Sequence, residues 1–118
     1  GMTGGQMAPT TLKGQITETT PNGRDYDVHG RPIKVCEILE SIEGVRYLER
    51  VSTHDVFNVK KTKSAIKKAF NYVKNGEGFS FVEVLSICPT NWKKDIKQSF
   101  KWVEENMIKE FPVKVFKD

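Results

Sequence analysis

Two parts of this sequence hold residue types that could do chemistry. The first is Thr3-Gly4-Gly5-Gln6 with Pro9-Thr10-Thr11 close behind it. Paired glycines let backbone N–H groups come close to an anion, and a threonine hydroxyl can bind phosphate or a metal-bound oxygen. Two other readings stay open: a flexible tip without a ligand, and a leader, since Met2-Thr3-Gly4-Gly5-Gln6 also resembles the start of a common epitope tag. The following Met7-Ala8-Pro9-Thr10-Thr11 fits a tag less well. The second part is Cys88, a thiol just after the nearly continuous apolar and β-favouring run Phe79 to Ile87.

Other reactive side chains have plainer readings. Cys36 falls on or near an apolar helical stripe, where free cysteines usually serve as core residues. His54 has no carboxylate or nucleophile paired with it by a recognisable motif, so turn or capping duty is expected. His29 is expected to be solvated. Five lysines, Lys60, Lys61, Lys63, Lys67 and Lys68, could attract an acidic partner, with a solvated helix face as the default. Trp92, Phe100 and Trp102 are read as packing residues, and no interleaved basic and aromatic surface for nucleic acid is visible.

The elements that must position these residues follow from periodicity. Residues 1–31, rich in Gly, Thr and Pro, read as a long ligand-binding loop or a mobile arm. Pro32 suits a first helical position, and Val35, Ile38, Leu39 and Ile42 then predict a helix over 32–43. Val45 to Val51 reads as a strand closed by the polar turn Ser52 to Asp55. Val59, Ile66, Phe70 and Val73 recur at helical spacing until Asn75 and Gly76. Phe79 to Ile87 predicts a strand covered on both faces. Ile96, Phe100, Val103 and Met107 share a further helical face, Pro112 ends it, and Val113 to Asp118 is left as a tail.

Strand, helix, strand predicts a βαβ unit with parallel strands. Ligands of open parallel sheets sit beyond the carboxyl ends of the strands, here Ser52 to Asp55 and Cys88 to Asn91. The expected class is α/β, in a chain of 118 residues with 37% apolar and 29% charged composition, typical of globular proteins. The absence of a long apolar run and a leader, and two widely separated cysteines, predict a reduced, cytoplasmic setting and no membrane span. The net charge of +4 is mild and does not by itself indicate nucleic acid.

Read together and in order, four motifs resemble the beta subunits of 2-oxoacid:ferredoxin oxidoreductases. They are Gly1-Met2-Thr3-Gly4-Gly5-Gln6-Met7-Ala8-Pro9-Thr10-Thr11, Thr20-Pro21-Asn22-Gly23-Arg24-Asp25, Phe79 to Ser86, and Cys88-Pro89-Thr90-Asn91-Trp92. The similarity continues through Trp102 to Ile108. It implies the C-terminal half of a thiamine-diphosphate-binding fold, a parallel sheet with flanking helices. In that frame 1–31 is a cofactor-loop remnant or mobile arm and 32–118 the α/β part.

The resemblance further implies that Gly1, Met2, Thr3, Gly4, Gly5 and Gln6 continue the loop holding thiamine diphosphate and magnesium, with Thr3 the best direct contact. It implies that Cys88 is the last cysteine ligand of a [4Fe–4S] cluster, although such a cluster needs four cysteines and the chain has two. The complete enzyme would decarboxylate a 2-oxoacid, branched-chain or 2-oxoglutarate rather than pyruvate, form an acyl-CoA and reduce ferredoxin. The family's Gly-Asp-Gly motif is not among these residues, so the lone chain is expected to bind none of these cofactors and to be inactive. Lys93-Lys94-Asp95-Ile96 departs from the family's Gly-containing turn. A non-catalytic assembly module derived from such a subunit is the alternative. Either way a half sheet leaves an edge and an apolar face to cover, by other subunits or by self-association into a homo-oligomer.

Overall fold

The computed structural model describes residues 1–118. At its centre lies the predicted βαβ unit. Strand β3, Val45–Ser52, runs parallel to β4, Phe79–Leu85, and helix α3, Val56–Lys74, connects them. Asp55 starts α3 by accepting a hydrogen bond from the Asn58 amide at 2.7 Å, which satisfies one of the free N–H groups of the first turn. No helix is long and apolar enough to cross a membrane.

The sheet is mixed rather than parallel throughout. Lys114–Lys117, read from sequence as a tail, forms the antiparallel strand β5 on the other side of β3, giving the order β4-β3-β5. Four residues carry too little periodicity to announce a strand. Their partner lies more than sixty residues away, with Glu49 opposite Val115 and Arg50 opposite Lys114.

Alternation along β3 divides the structure into layers. Tyr47 and Val51 face α3, which packs on β3 and β4. Leu48 and Arg50 face the opposite side, where helix α2, Val35–Glu40, and the C-terminal helical segment lie. That segment comprises α5, Ile96–Trp102, a π-helical turn, Val103–Met107, and α6, Ile108–Glu110. Here Leu12, Leu85, Val103, Met107 and Phe111 form the apolar core, so the predicted stripe holds at Val103 and Met107 while Ile96 stays exposed.

Two other helical expectations need correction. The helix expected over 32–43 spans only Val35–Glu40. Pro32 and Ile33 are not helical, because the Ile33 amide donates to the Pro9 carbonyl at 3.0 Å and commits this backbone to the N-terminal segment. Helix α3 occupies the expected place but turns a different face inward. Thr62 and Ala65 are buried, whereas Val59, Ile66, Phe70 and Val73 are exposed, Phe70 by 71%. Small side chains allow the helix to lie close on the sheet, and the Thr62 hydroxyl donates to the Ser52 carbonyl at 2.8 Å.

On the α2 side a buried ion network joins the elements. Arg50 is wholly buried. Its guanidinium grips Glu37 of α2 through two hydrogen bonds of 2.9 and 2.5 Å, and its Nε donates to Glu83 of β4 at 2.8 Å. It also donates to the Pro112 carbonyl at 3.3 Å and lies over the Phe111 and Phe116 rings.

Removing one member of such a group strands the others in a site of low dielectric, so Arg50→Met is expected to cost about 3 kcal/mol. The urea unfolding midpoint measures this, and a variant as stable as the parent would contradict it. Acid should act through Glu37, whose hydrogen bonds to Arg50 hold its carboxyl below the ordinary glutamate value. Because the folded value is the lower one, this contribution is complete above about pH 4.3 and is lost as the pH falls toward the depressed value. Stability measured against pH should fall in that window, and less so in Glu37→Gln.

Candidate functional site

The Thr-Gly-Gly-Gln stretch folds as a minimal hairpin. Strands β1, Met2–Thr3, and β2, Gln6–Met7, pair antiparallel around Gly4 and Gly5. Both glycines have positive φ, +57° and +90°, as a two-residue turn between antiparallel strands requires. At Gly5 the space is also restricted: a Cβ there would lie 3.0 Å from the Glu18 carboxylate and 3.2 Å from Asn91 Oδ1. The Glu18 amide donates to the Gly5 carbonyl at 2.9 Å, and the Met7 amide to the Thr19 hydroxyl at 3.0 Å, so the hairpin is tied to the chain that follows it.

One buried cation organises that following chain. Arg24, 4% exposed, donates to the backbone carbonyls of Ala8, Pro9, Thr11, His29, Gly30 and Arg31 at 2.7 to 3.3 Å. The planar fork of donors suits it to collecting carbonyls from two backbone stretches at once. The stretch read as loop also contains the one-turn helix α1, Tyr26–His29.

Cys88 stands three residues past β4 and precedes the short helix α4, Pro89–Trp92. It is half-buried, and its sulfur accepts from the Asn91 side-chain amide at 3.5 Å. The other end of that amide, Oδ1, faces Gly5. Asn91 therefore stands between the glycine turn and the thiol and brings the two sequence-read segments together. A cleft of about 550 Å³ opens here, lined among others by Gly5, Glu18, Thr90, Asn91 and Lys93. Lys93 has φ +52°, a conformation that favours glycine.

The remaining candidates separate from this cleft. Thr3, Gly4 and Gln6 are exposed on the hairpin. Cys36 is completely buried and donates to Glu83 at 3.1 Å; burial first, and that hydrogen bond second, push its thiol up to about 12. His54 bridges Ser52 Oγ at 2.9 Å and Asp55 Oδ2 at 3.2 Å, beside the cap of α3, in keeping with a turn role. His29 is exposed. Lys68 pairs with Asp118, and Lys61 lies over the Phe57 ring. Sequence reasoning did not single out Glu18: an isolated exposed acid carries no local signal, and its place beside Gly5 arises from the fold.

No group of three or more His, Cys, Asp or Glu side chains is placed to hold a metal ion. The residues present thus do not fit a complete [4Fe–4S] or magnesium site. They supply one half-buried thiol and a glycine turn with open space beside Gly4.

A mixed α/β layer with a glycine hairpin beside a strand-end thiol is the context in which the sequence relationships take meaning. The chain is homologous along its length to a segment of 2-oxoacid oxidoreductase subunits. It is 48% identical over 118 residues to ketoisovalerate oxidoreductase subunit VorA of Methanothermobacter marburgensis, and 48% identical over the same length to that of Methanothermobacter thermautotrophicus. It is 35% identical over 106 residues to 2-oxoglutarate synthase subunit KorB of Archaeoglobus fulgidus, covering 90% of this chain and 35% of the relative. The chain spans about a quarter of the length of the VorA relatives. No family model matches it, and no solved structure does.

The two thiols should differ sharply in reactivity. In the folded protein at pH 8 iodoacetamide is expected to modify Cys88 and to spare Cys36, while both react in denaturant. Mass spectrometry of peptides checks this, and rapid labelling of native Cys36 would contradict its placement.

Proposed function

We propose that these residues form part of the thiamine-diphosphate-binding beta subunit of a 2-oxoacid:ferredoxin oxidoreductase acting on a branched-chain 2-oxoacid or 2-oxoglutarate. The observation that carries the reading is the meeting of the glycine hairpin and the Cys88 segment at Asn91, in a chain 48% identical throughout to VorA. When bound, thiamine diphosphate would supply the carbanion chemistry of decarboxylation, and the protein the binding and orientation.

Within that reading each residue has a limited task. Gly1, Met2, Thr3, Gly4, Gly5 and Gln6 form one wall of the diphosphate and magnesium loop, Thr3 offering its exposed hydroxyl. Gly5 keeps the turn free of a Cβ that Glu18 and Asn91 would obstruct. Cys88 offers one thiolate to an iron–sulfur cluster whose other ligands come from elsewhere. Other subunits of the complex, ferredoxin, coenzyme A and the 2-oxoacid are the partners. Without those subunits the exposed Ile66, Phe70 and Val73 of α3 and the open edge of β4 drive self-association.

These 118 residues by themselves are expected neither to bind the cofactors nor to catalyse. Isothermal calorimetry with thiamine diphosphate and magnesium should give no saturable heat, and light scattering of the same sample should give a mass above that of one chain. Tight cofactor binding would refute the assignment of an incomplete site. A monodisperse monomer at micromolar concentration would refute the role given to the open edge and apolar face.

A further inference from the structure

The two flanks of α3 differ in kind. On the flank next to β4, Ile66, Phe70 and Val73 border an apolar groove with Val82. The flank next to β5 is basic. There a groove of about 430 Å³ has Tyr47, Glu49 and Val115 of the sheet as its floor. Phe57, Lys60, Lys61 and Lys68 of α3 form its wall.

The positive charge of this flank is more concentrated than the sequence total suggests. Helix α3 carries six lysines and no acidic residue, in a chain whose net charge is +4. Acids four residues from lysines support an exposed helix, whereas like charges at that spacing, as at Lys63 and Lys67, repel one another. Of the six, Lys68 alone has a carboxylate partner, Asp118. Glu49 is the single acid of the groove, and it accepts from the Tyr47 hydroxyl. Lys60 and Lys61 therefore stand without counter-ions, beside apolar surface that Phe57 exposes by 64% and Val115 by 48%.

The groove also runs along an open strand. β5 ends the sheet in the order β4-β3-β5, so the backbone groups on its outer side have no strand to pair with. Such an edge is a template for another extended chain, and its charges decide which chain is accepted. Lys114 and Lys117 of β5, together with the lysines of α3, repel a second copy of the same edge and attract an acidic strand. Nucleic acid is a poorer match, because Glu49 lies in the floor and Phe57 is the one exposed ring of the groove on which a base could stack.

We propose that the outer edge of β5 and the basic groove beside it bind an extended acidic segment of a partner protein, added to the sheet as a further strand. Alternate side chains of an added strand fall on the two faces of the sheet. Acidic ones meet Lys60 and Lys61, and apolar ones meet Phe116, which lies on the Arg50 side. This inference does not depend on the oxidoreductase reading, since no groove residue belongs to the hairpin or is Cys88.

A fluorescein-labelled peptide of alternating glutamate and valine is titrated into the full chain, with anisotropy as the readout. Saturable binding is expected that weakens as salt rises, because exposed charges are screened. The same peptide with glutamine in place of glutamate should bind about tenfold more weakly. Lys60→Gln combined with Lys61→Gln should cost about tenfold, whereas Lys97→Gln with Lys101→Gln, which removes as much charge from the exposed side of α5, should change the affinity by less than about twofold. Strand addition should slow hydrogen exchange at the amides of Lys114 to Lys117, and N-methylation of alternate peptide amides should abolish binding. The absence of saturable binding would overturn the proposal, as would undiminished binding by the Lys60 and Lys61 double variant. Equal binding of the N-methylated peptide would reduce the effect to charge attraction, and tighter binding of a single-stranded RNA would make the face one for nucleic acid; either result overturns the strand.

Discussion

Arg50 carries a full charge with no access to solvent, and the fold is arranged around neutralising it. An isolated buried charge is too expensive to keep, so partners must arrive from several directions. Glu37 comes from α2, Glu83 from the neighbouring strand, the Pro112 carbonyl from the approach to β5, and the Phe111 and Phe116 rings cover the guanidinium. One side chain thereby ties four segments distant in sequence. The same constraint explains Glu83, the sole charge in strand β4, and it keeps Cys36 as a silent thiol.

A second buried arginine does comparable work for the N-terminal segment by different means. Arg24 meets backbone carbonyls rather than carboxylates, so it gathers a glycine- and threonine-rich chain that has little apolar surface of its own. The hairpin is then held where Gly5 passes Asn91. Close approach of backbone to a neighbouring side chain is the physical use of glycine at this position.

Parts of this arrangement were legible beforehand. The βαβ unit, the parallel pair and the place of α3 follow from local periodicity and turn residues, as does the thiol after the strand, whereas the paired glycines were read as a loop and not as the turn of a hairpin. The inward face of α3 did not, because Ile66, Phe70 and Val73 outweigh Thr62 and Ala65 in any hydrophobic pattern while the sheet selects the smaller residues for close packing. Strand β5 and the shortened α2 were illegible for a related reason, since each depends on a hydrogen-bond partner far along the chain.

The sequence by itself determined the element types and the residues with chemical potential, because spacing, capping and backbone permissiveness operate within a few residues. Only the tertiary structure decided that Asn91 stands between Gly5 and Cys88 and that Arg50 rather than an apolar side chain fills the centre. Those outcomes turn on residues tens of positions apart competing for the same space and the same hydrogen bonds, a contest that no local pattern records.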